Sequence, residues 1–257
     1  MPAPMTIKQY VSQMRKIPGG RFTMGRTYDI EDSLRLFDNE VPVHPVEISA
    51  FQMGATPVTV GMWREYLRAN TSVMMPRAPE WGWIDSHPMV NISWNDIMGI
   101  EGQVGYCTWA SRVSGIQLLI STEAQWEYSA KGGKEQKYPW GNEFDESKTW
   151  SSVKRRRRST APVHRLSNIF TNKFGVSDLL GNIRHWCLDG YQPYTKKLDR
   201  LGYVVVSKDP VIIGERKIIR GGSWDSSDPS FLRSSLRIFP YREISFYNVG
   251  FRLVAPT

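Results

Sequence analysis

The chain has few of the features that define several large classes of protein. It holds two cysteines in 257 residues, so a disulfide-dense framework is excluded. It contains no apolar run of about 18 residues, so we predict that no segment spans a membrane. Its first residues show no basic region followed by an apolar stretch, and we expect no signal peptide in this chain. At 40% hydrophobic residues, it has the composition of a globular protein.

Familiar catalytic signatures are also absent. There is no nucleotide-binding glycine loop and no Gly-x-Ser-x-Gly motif, and the four histidines lack zinc-enzyme spacing. Cys107 and Cys187 lie among aromatic residues, which predicts buried structural thiols. His44 and His87 adjoin prolines, and we expect buried, hydrogen-bonded roles for them. A metal-dependent enzyme that uses His185 with Cys187 remains an open alternative.

The chain is rich in tryptophan, glycine and proline, which are typical of irregular, loop-rich folds. Ten tryptophans, 21 glycines and 16 prolines predict a loop-rich α+β architecture with few helices. We find no internal repeat and no linker-like segment, so we predict one domain over residues 1–257.

Local patterns predict the first elements. Residues 17–25 favour a turn that leads into a short strand, and alternating apolar residues favour a strand at 46–53. Short apolar runs favour further strands at 203–206 and 211–213. Residues 26–42 are polar and favour a loop. We predict helices that follow Thr59 as far as Ala69, that begin at Ser93, that cover 104–114, and that run from the capping box at Thr122 to Lys131.

Motifs spread over the chain resemble those of the formylglycine-generating enzyme (sulfatase-modifying factor) family. The blocks that carry the resemblance are 17–20, 24–25, 42–51, 56–59, 87–94, 121–128, 138–142, 174–175, 180–182, 220–224 and 250–253. The resemblance implies a C-type-lectin-like fold of the formylglycine-generating-enzyme subtype.

The resemblance does not extend to the family's chemistry. Members that oxidise a substrate cysteine bind copper through two cysteines, with four residues between them, after the Gly-Gly-Ser block. The matching positions here are Ser226 and Phe231, and hydroxyl and phenyl groups do not replace thiolates as ligands of Cu(I). We therefore predict no enzyme activity of this kind and no cofactor.

The family's calcium sites are altered as well. Where relatives place Trp-Glu-Trp after Gly-Asn, this chain has Arg184-His185-Trp186, so a carboxylate ligand is replaced. The second site is not recognisable around 148–150. We predict that the protein holds no metal.

Residues 225–249 resemble the variable segment of a second group on this frame, the variable proteins of diversity-generating retroelements. Their variable codons cannot encode Lys, Glu, Met, Gln or Trp. These types make up 53 of the 257 residues, yet Glu243 is the single example within 225–249. The resemblance implies a ligand-binding segment and, for such proteins, display at the cell surface.

The side chains of this segment are also suited to ligand binding. Phe and Tyr offer rigid contact area, while Ser and Asn adapt their hydrogen bonds. The alternative is that its apolar residues are ordinary core strand residues, but Pro240 is unsuited to a central strand. The proposed ligand-binding residues are Asp225, Ser226, Ser227, Phe231, Leu236, Ile238, Phe239, Pro240, Tyr241, Ile244, Phe246, Tyr247 and Asn248. We expect Trp224, Phe251 and Leu253 to be buried frame residues.

The function predicted from the sequence is recognition of a protein or other macromolecule by a monomer. The second possibility is a catalytically inactive or unconventional relative of the oxidases. The net charge of +8 includes a basic run at 154–158, which we interpret as an exposed, solvated loop. No aromatic residue interleaves with its arginines, so we expect no nucleic-acid partner.

Overall fold

The computed structural model of the protein describes residues 4–27, 39–100, 102–163, 170–194 and 212–257. Its α-helices are α1 (Ile7–Ser12), α2 (Val60–Ala69), α3 (Trp94–Met98), α4 (Tyr106–Ser114) and α5 (Glu123–Lys131). Its strands are β1 (Arg15–Ile17), β2 (Gly20–Met24), β3 (His44–Ile48), β4 (Phe51–Met53), β5 (Gly99–Ile100), β6 (Gln103–Val104), β7 (Leu119–Ile120), β8 (Arg184–Gly190), β9 (Lys217–Arg220), β10 (Arg237–Ile238), β11 (Val249–Gly250) and β12 (Leu253–Pro256). No helix in these ranges is long and apolar enough to cross a membrane.

Polar caps decide where the helices begin. The side chains of Thr6, Ser93 and Thr122 each accept a hydrogen bond from the third residue of the helix that follows, in a capping box. The predicted helix at Thr122 is confirmed, and Gly132 ends it in a left-handed conformation. The helix predicted at Ser93 is short because the chain turns at Gly99, where φ is 92°. Helix α1 was not predicted, although Thr6 carries the same capping signal.

Two four-stranded sheets organise the chain. Their strand orders are β1-β4-β12-β7 and β10-β9-β8-β11, and β11 runs parallel to β8. Strands β2 and β3 form a separate antiparallel pair. The prediction of one strand over 46–53 was wrong, because β3 and β4 belong to different sheets. Ser49 and Ala50 are both exposed, which interrupts the alternation of buried and exposed residues at the break.

The core consists of two clusters rich in aromatic residues. In one, Trp63 stacks on Tyr106 with ring centroids 5.3 Å apart, and Phe251 packs edge-on against Tyr106 at 5.1 Å. The other contains Trp126 and side chains from β2, β3 and β4. Phe251 and Leu253 are fully buried, which confirms their predicted frame role.

Both cysteines confirm the prediction of buried, unpaired thiols. Cys107 is 1% exposed and Cys187 is fully enclosed. Burial raises the pKa of Cys107 to about 12 and that of Cys187 well above its ordinary value. Because the thiolate is the reactive form, neither residue is suited to nucleophilic chemistry near neutral pH.

Some predictions concern residues outside the described ranges. They are the strand at 203–206, most of the loop at 26–42, Val211 and His164. Ile212 and Ile213 are described, exposed and outside any strand, so the strand prediction was wrong at these two residues.

Candidate ligand-binding face

Three arginines join the C-terminal part of the chain to the frame. Arg233 donates two hydrogen bonds of 2.7 Å to Glu40. Arg237 donates to Glu123 through Nε at 2.6 Å and through Nη2 at 3.0 Å. Arg220 contacts Glu123 as well, and all of these side chains are at most 7% exposed. Two-point guanidinium–carboxylate contacts fix orientation as well as distance.

Arg220 is at the centre of this network. Its guanidinium forms an ion pair with Glu127 and donates to two backbone carbonyls of the C-terminal segment at 2.8 Å. Lys131 binds the same carboxylate at 2.7 Å. Burial alone would raise the pKa of Glu127, but Lys131 and Arg220 hold it below its ordinary value. Buried ion pairs beneath the segment thus help to order its backbone.

The predicted ligand-binding residues fall into three levels of exposure. Ser227, Tyr241, Ile244 and Tyr247 are exposed. Those that are partly exposed are Asp225, Phe231, Ile238, Phe239, Pro240, Phe246 and Asn248. Ser226 and Leu236 are buried at 4% and 2% exposure, so their assignment to a solvent-facing surface was wrong. The eleven residues that are not buried are called the C-terminal face below.

One part of the C-terminal face surrounds Tyr247. Its hydroxyl donates to Asp225 at 2.9 Å, and Asn248 Nδ2 donates to the same carboxylate at 3.0 Å. The Trp224 ring lies 5.8 Å from that of Tyr247 and 5.2 Å from that of Trp81. The hydrogen bond to Asp225 favours the neutral phenol and raises the pKa of Tyr247. We call Trp81, Trp224 and Tyr247 the aromatic cluster.

A second part is built around Phe239. Its ring stacks on Tyr191 with centroids 3.8 Å apart. The Arg216 guanidinium lies over both Phe239 and Tyr241, 5.9 and 4.7 Å from the ring centres. Tyr241, at 44% exposure, is the more open of the two rings.

The backbone between these parts is attached to the start of α3. The carbonyl of Arg242 accepts from Trp94 N–H at 3.0 Å, and that of Phe246 accepts from Asn91 N–H at 2.9 Å. Ile238 and Phe246 pack partly against the core. The alternative of core residues is therefore correct in part: these side chains support the surface from below, while Ile244 and Tyr247 face outward at 40% and 49% exposure.

The positions that match the copper ligands do not fit copper. The Ser226 hydroxyl accepts a hydrogen bond from Ser223 N–H at 3.0 Å, and the Phe231 side chain offers no donor atom. The sequence contains no cysteine after Cys187. Soft thiolate and thioether ligands suit Cu(I), and a serine hydroxyl and a phenyl ring do not fit it.

The altered calcium position does not fit calcium either. The Asn182 side chain is occupied by hydrogen bonds with the backbone of Ala161, and Arg184 donates to the Gly221 carbonyl at 2.9 Å. His185 is fully buried, and neither ring nitrogen has a hydrogen-bond partner among the described residues. Burial, together with the charge of Arg252, lowers its pKa well below the ordinary value. A neutral imidazole beside guanidinium groups is a poor environment for a hard dication.

Other arrangements for metal binding are lacking in the part of the chain that the structure describes. No group of three or more His, Cys, Asp or Glu side chains could hold an ion there. His44 Nδ1 lies 3.0 Å from the Pro42 carbonyl, and His87 Nδ1 lies 2.8 Å from Thr160 Oγ1. Both are buried, which confirms their predicted structural roles.

Several residues of this surface were not predicted. Trp224 was expected to be a buried frame residue, but it is only partly buried and belongs to the aromatic cluster, so that prediction was wrong. Trp81, Tyr191 and Arg216 come from distant parts of the sequence. No local pattern marks them, because their place depends on tertiary packing.

The fold and site together define a C-type-lectin-like domain of the formylglycine-generating-enzyme type, as two solved structures show. PvdO from Pseudomonas aeruginosa superposes with a TM-score of 0.75 at 25% identity, covering 95% of this chain and 94% of that one. Variable protein 1 of Treponema denticola gives a TM-score of 0.71 at 19% identity, covering 95% of each chain. The predicted fold is thereby confirmed.

The chain belongs to the family of the sulfatase-modifying factor enzyme 1-like domain, whose sequence profile matches residues 2–257. Inactive C-alpha-formylglycine-generating enzyme 2 of Mus musculus is 26% identical over 294 residues, which cover 93% of this chain and 84% of the relative. Formylglycine-generating enzyme of Streptomyces coelicolor is 24% identical over 302 residues, which cover 92% and 87%. Since the family includes proteins named as active and as inactive, membership alone does not decide activity.

Proposed function

We propose that this protein is a non-enzymatic, receptor-type binding protein whose C-terminal face recognises a protein or other macromolecule. The observation that carries the proposal is the replacement of the copper ligands. A buried serine and a phenylalanine stand where the oxidases have thiolates, and exposed Tyr241, Ile244 and Tyr247 lie on the same segment.

The architecture beneath the C-terminal face supports this proposal. Buried ion pairs of Arg220, Arg233 and Arg237 hold the backbone, so the outward side chains are free to serve recognition. Tyrosine rings give large contact area with few torsions to restrict on binding. A surface that is ordered before binding incurs a smaller entropic cost when a ligand docks.

A second candidate function is that of a catalytically inactive or unconventional relative of the formylglycine-generating oxidases. The observation that favours it is the match over most of the chain to a mouse protein named as inactive. A relative with only a structural role would not depend on Tyr241, Ile244 or Tyr247. The two proposals therefore differ in what the exposed side chains do.

Selection from a displayed library of peptides and small domains tests the proposal. The library is panned on the wild-type protein, and each selected binder is then measured on the variant Tyr241→Ser/Ile244→Ser/Tyr247→Ser. We expect the variant to keep its fold and to lose binding by at least about tenfold, since truncated anchors at an interface typically cost that much.

A matched control removes equally exposed apolar side chains elsewhere. The variant Met74→Ser/Ile100→Ser/Ile116→Ser changes residues that are 85%, 51% and 36% exposed. It should bind the selected ligands as the wild type does. Equal binding by all three proteins, or no selected binder at all, would contradict the proposal. Conversion of a sulfatase-derived cysteine peptide by the copper-loaded protein would show that it is an enzyme.

The partner and state that we propose are a macromolecular ligand other than nucleic acid, bound by a monomer. Display at the cell surface is the setting that the resemblance to retroelement variable proteins implies.

A further inference from the structure

The basic run at 154–158 follows a residue that is hydrogen-bonded to the C-terminal segment. Just before the run, Ser152 N–H donates to the Ser226 carbonyl at 2.9 Å. The Ser152 hydroxyl donates to the Trp224 carbonyl at 2.8 Å. The loop that carries five of the 33 basic residues is therefore attached to the C-terminal segment. The prediction of an exposed loop is confirmed for four of the five residues of the run, and its attachment to the C-terminal segment was not predicted.

One member of the run holds the loop in shape. The Arg157 guanidinium lies over the Trp150 ring, 3.8 Å from its centre, and Nε donates to the Ser151 carbonyl at 3.2 Å. Its backbone N–H donates to the Ser152 hydroxyl at 2.8 Å, and Trp150 Nε1 donates to the Ser159 carbonyl at 3.0 Å. These contacts connect residues 150–152, before the run, with residues 157 and 159 at its end.

The other four members of the run, Lys154, Arg155, Arg156 and Arg158, are exposed. None of them forms an ion pair with another residue in the described ranges. Glu146, the carboxylate beside the loop, accepts from the backbone N–H of Lys154 at 3.1 Å rather than from a charged side chain. We call these four residues the basic rim. Exposed cations that form no ion pair within the described ranges create a surface that attracts anions.

A carboxylate lies beside the aromatic cluster. Tyr247 hydrogen-bonds to Asp225, which raises the pKa of Tyr247; the charge of Glu80 acts in the same direction, and the charge of Arg184 opposes it. The carboxylate of Asp225 therefore lies at Tyr247, while exposed cations lie along the rim. A ligand that covers both must be anionic at one end and neutral or hydrogen-bond donating at the other.

We propose that the basic rim and the aromatic cluster together bind an acidic segment of polypeptide. Its carboxylates contact the rim, and neighbouring apolar or aromatic side chains of the ligand contact Trp81, Trp224 and Tyr247. This inference rests on the proposed function and specifies the class of ligand. A continuous polyanion, such as a nucleic acid or an anionic membrane, would meet the carboxylate of Asp225 next to Tyr247. The Trp150 ring beside the arginines is covered by Arg157 and is not a free stacking platform for a base.

Fluorescence anisotropy with defined peptides tests the inference. The probe is a labelled peptide with a block of glutamates followed by tyrosines, and its partner has glutamine in place of each glutamate. We expect the glutamate peptide to bind more tightly, and its affinity to fall as salt rises, since charges are screened beyond about 8 Å at physiological ionic strength. The variant Lys154→Gln/Arg155→Gln/Arg156→Gln/Arg158→Gln should bind it at least about tenfold more weakly, because several exposed charges are lost together.

Two further variants separate the site from charge alone. Lys8→Gln/Lys16→Gln/Arg68→Gln/Arg112→Gln removes four exposed cations from α1, β1, α2 and α4 and should bind like the wild type. Arg157→Lys keeps the net charge but loses the planar contact with Trp150, and it should weaken binding. The inference would be overturned if the rim variant bound the glutamate peptide as tightly as the wild type does, or if the control variant lost as much affinity as the rim variant. It would also be overturned if the wild type bound single-stranded DNA or phosphatidylserine vesicles more tightly than the glutamate peptide.

Failure of this inference is distinguishable from failure of the proposed function. Library-selected ligands that need Tyr241, Ile244 and Tyr247 but bind the rim variant normally would overturn the acidic ligand and leave the binding face intact. Absence of any ligand that depends on these three residues would overturn the proposed function itself.

Discussion

The guanidinium of Arg237 donates two hydrogen bonds to the carboxylate of Glu123, 2.6 Å through Nε and 3.0 Å through Nη2, and both side chains are buried. Glu123 is the first residue of α5, and Arg237 is the first residue of β10. This ion pair therefore connects the C-terminal segment to the start of α5, which lies more than a hundred residues earlier in the sequence. Leu236 on one side is buried, and Ile238 on the other is partly exposed.

Breaking this pair should destabilise the whole fold. We expect Arg237→Leu to lower the free energy of unfolding by about 3–5 kcal/mol, because the buried carboxylate loses its two-point partner and keeps only the longer contact with Arg220. Urea unfolding measures the change. Arg21→Leu, which removes an ion pair with Glu47 that is about two-thirds exposed, is the control and should change stability little. Similar effects from the two variants would show that the buried pair is not what orders the segment.

Truncation on the C-terminal face should affect stability according to burial. Tyr241→Ser and Ile244→Ser should leave the thermal midpoint nearly unchanged, since these side chains are 44% and 40% exposed. Phe251→Ala in the core should cost about 3–5 kcal/mol. Phe239→Ala should lie between them, because its ring stacks on Tyr191. A large loss from Tyr241→Ser or Ile244→Ser in thermal melts would mark these residues as structural.

Calcium should not stabilise the protein. Arg184 and His185 replace the acidic ligand, and the Asn182 side chain is committed to the backbone of Ala161. We expect equal melting temperatures in millimolar calcium and in excess chelator. A rise of several degrees that the chelator reverses would reveal a retained site, since binding to the folded state alone adds stability.

Asp178 should make the protein less stable as pH rises. Burial raises its pKa from 3.8 to about 7, with opposing contributions from Asn182 and Arg252. Since the folded state holds this proton more tightly than the unfolded chain, the stabilising effect is full below pH 3.8 and is lost as pH rises through about 7. Asp178→Asn removes the titration, so its melting temperature relative to wild type should increase from pH 5 to pH 8.

Part of that pH dependence should survive in the variant. The partly buried Asp189 accepts a hydrogen bond from Glu123 N–H, and desolvation followed by the charge of Glu123 raises its pKa to about 7 as well. Deprotonation of Asp189 should therefore still lower the stability of the Asp178→Asn variant over the same pH range. A constant difference between Asp178→Asn and wild type across this range would contradict a raised pKa at Asp178.

Much of the fold could be predicted because its signals are local. The capping box at Thr122 and the glycine at 132 define α5 within eleven residues of sequence. The same signal at Thr6 marks α1, but no long apolar period followed it, and the helix was missed. The break between β3 and β4 was not predictable from alternation alone, because the choice of sheet depends on distant partners.

In the candidate site, only those features could be predicted for which the resemblance to the family assigned a position in this sequence. Replacement of thiolates by Ser226 and Phe231 was visible directly in the sequence. The exposure of Trp224 was not, because it depends on contact with Trp81, more than a hundred residues earlier. The position of the basic run beside Trp224 rests on hydrogen bonds of Ser152, which no local pattern encodes.

Amide hydrogen exchange of the protein, alone and with a library-selected ligand, tests whether the C-terminal face binds that ligand. We expect the ligand to slow exchange at exposed amides in 225–248 and in the neighbouring loop at 152–158, with little change in α1, α2 and α4. The buried frame should already exchange slowly in the free protein. Protection confined to other parts of the chain, with 225–248 unchanged, would contradict a binding function for this face.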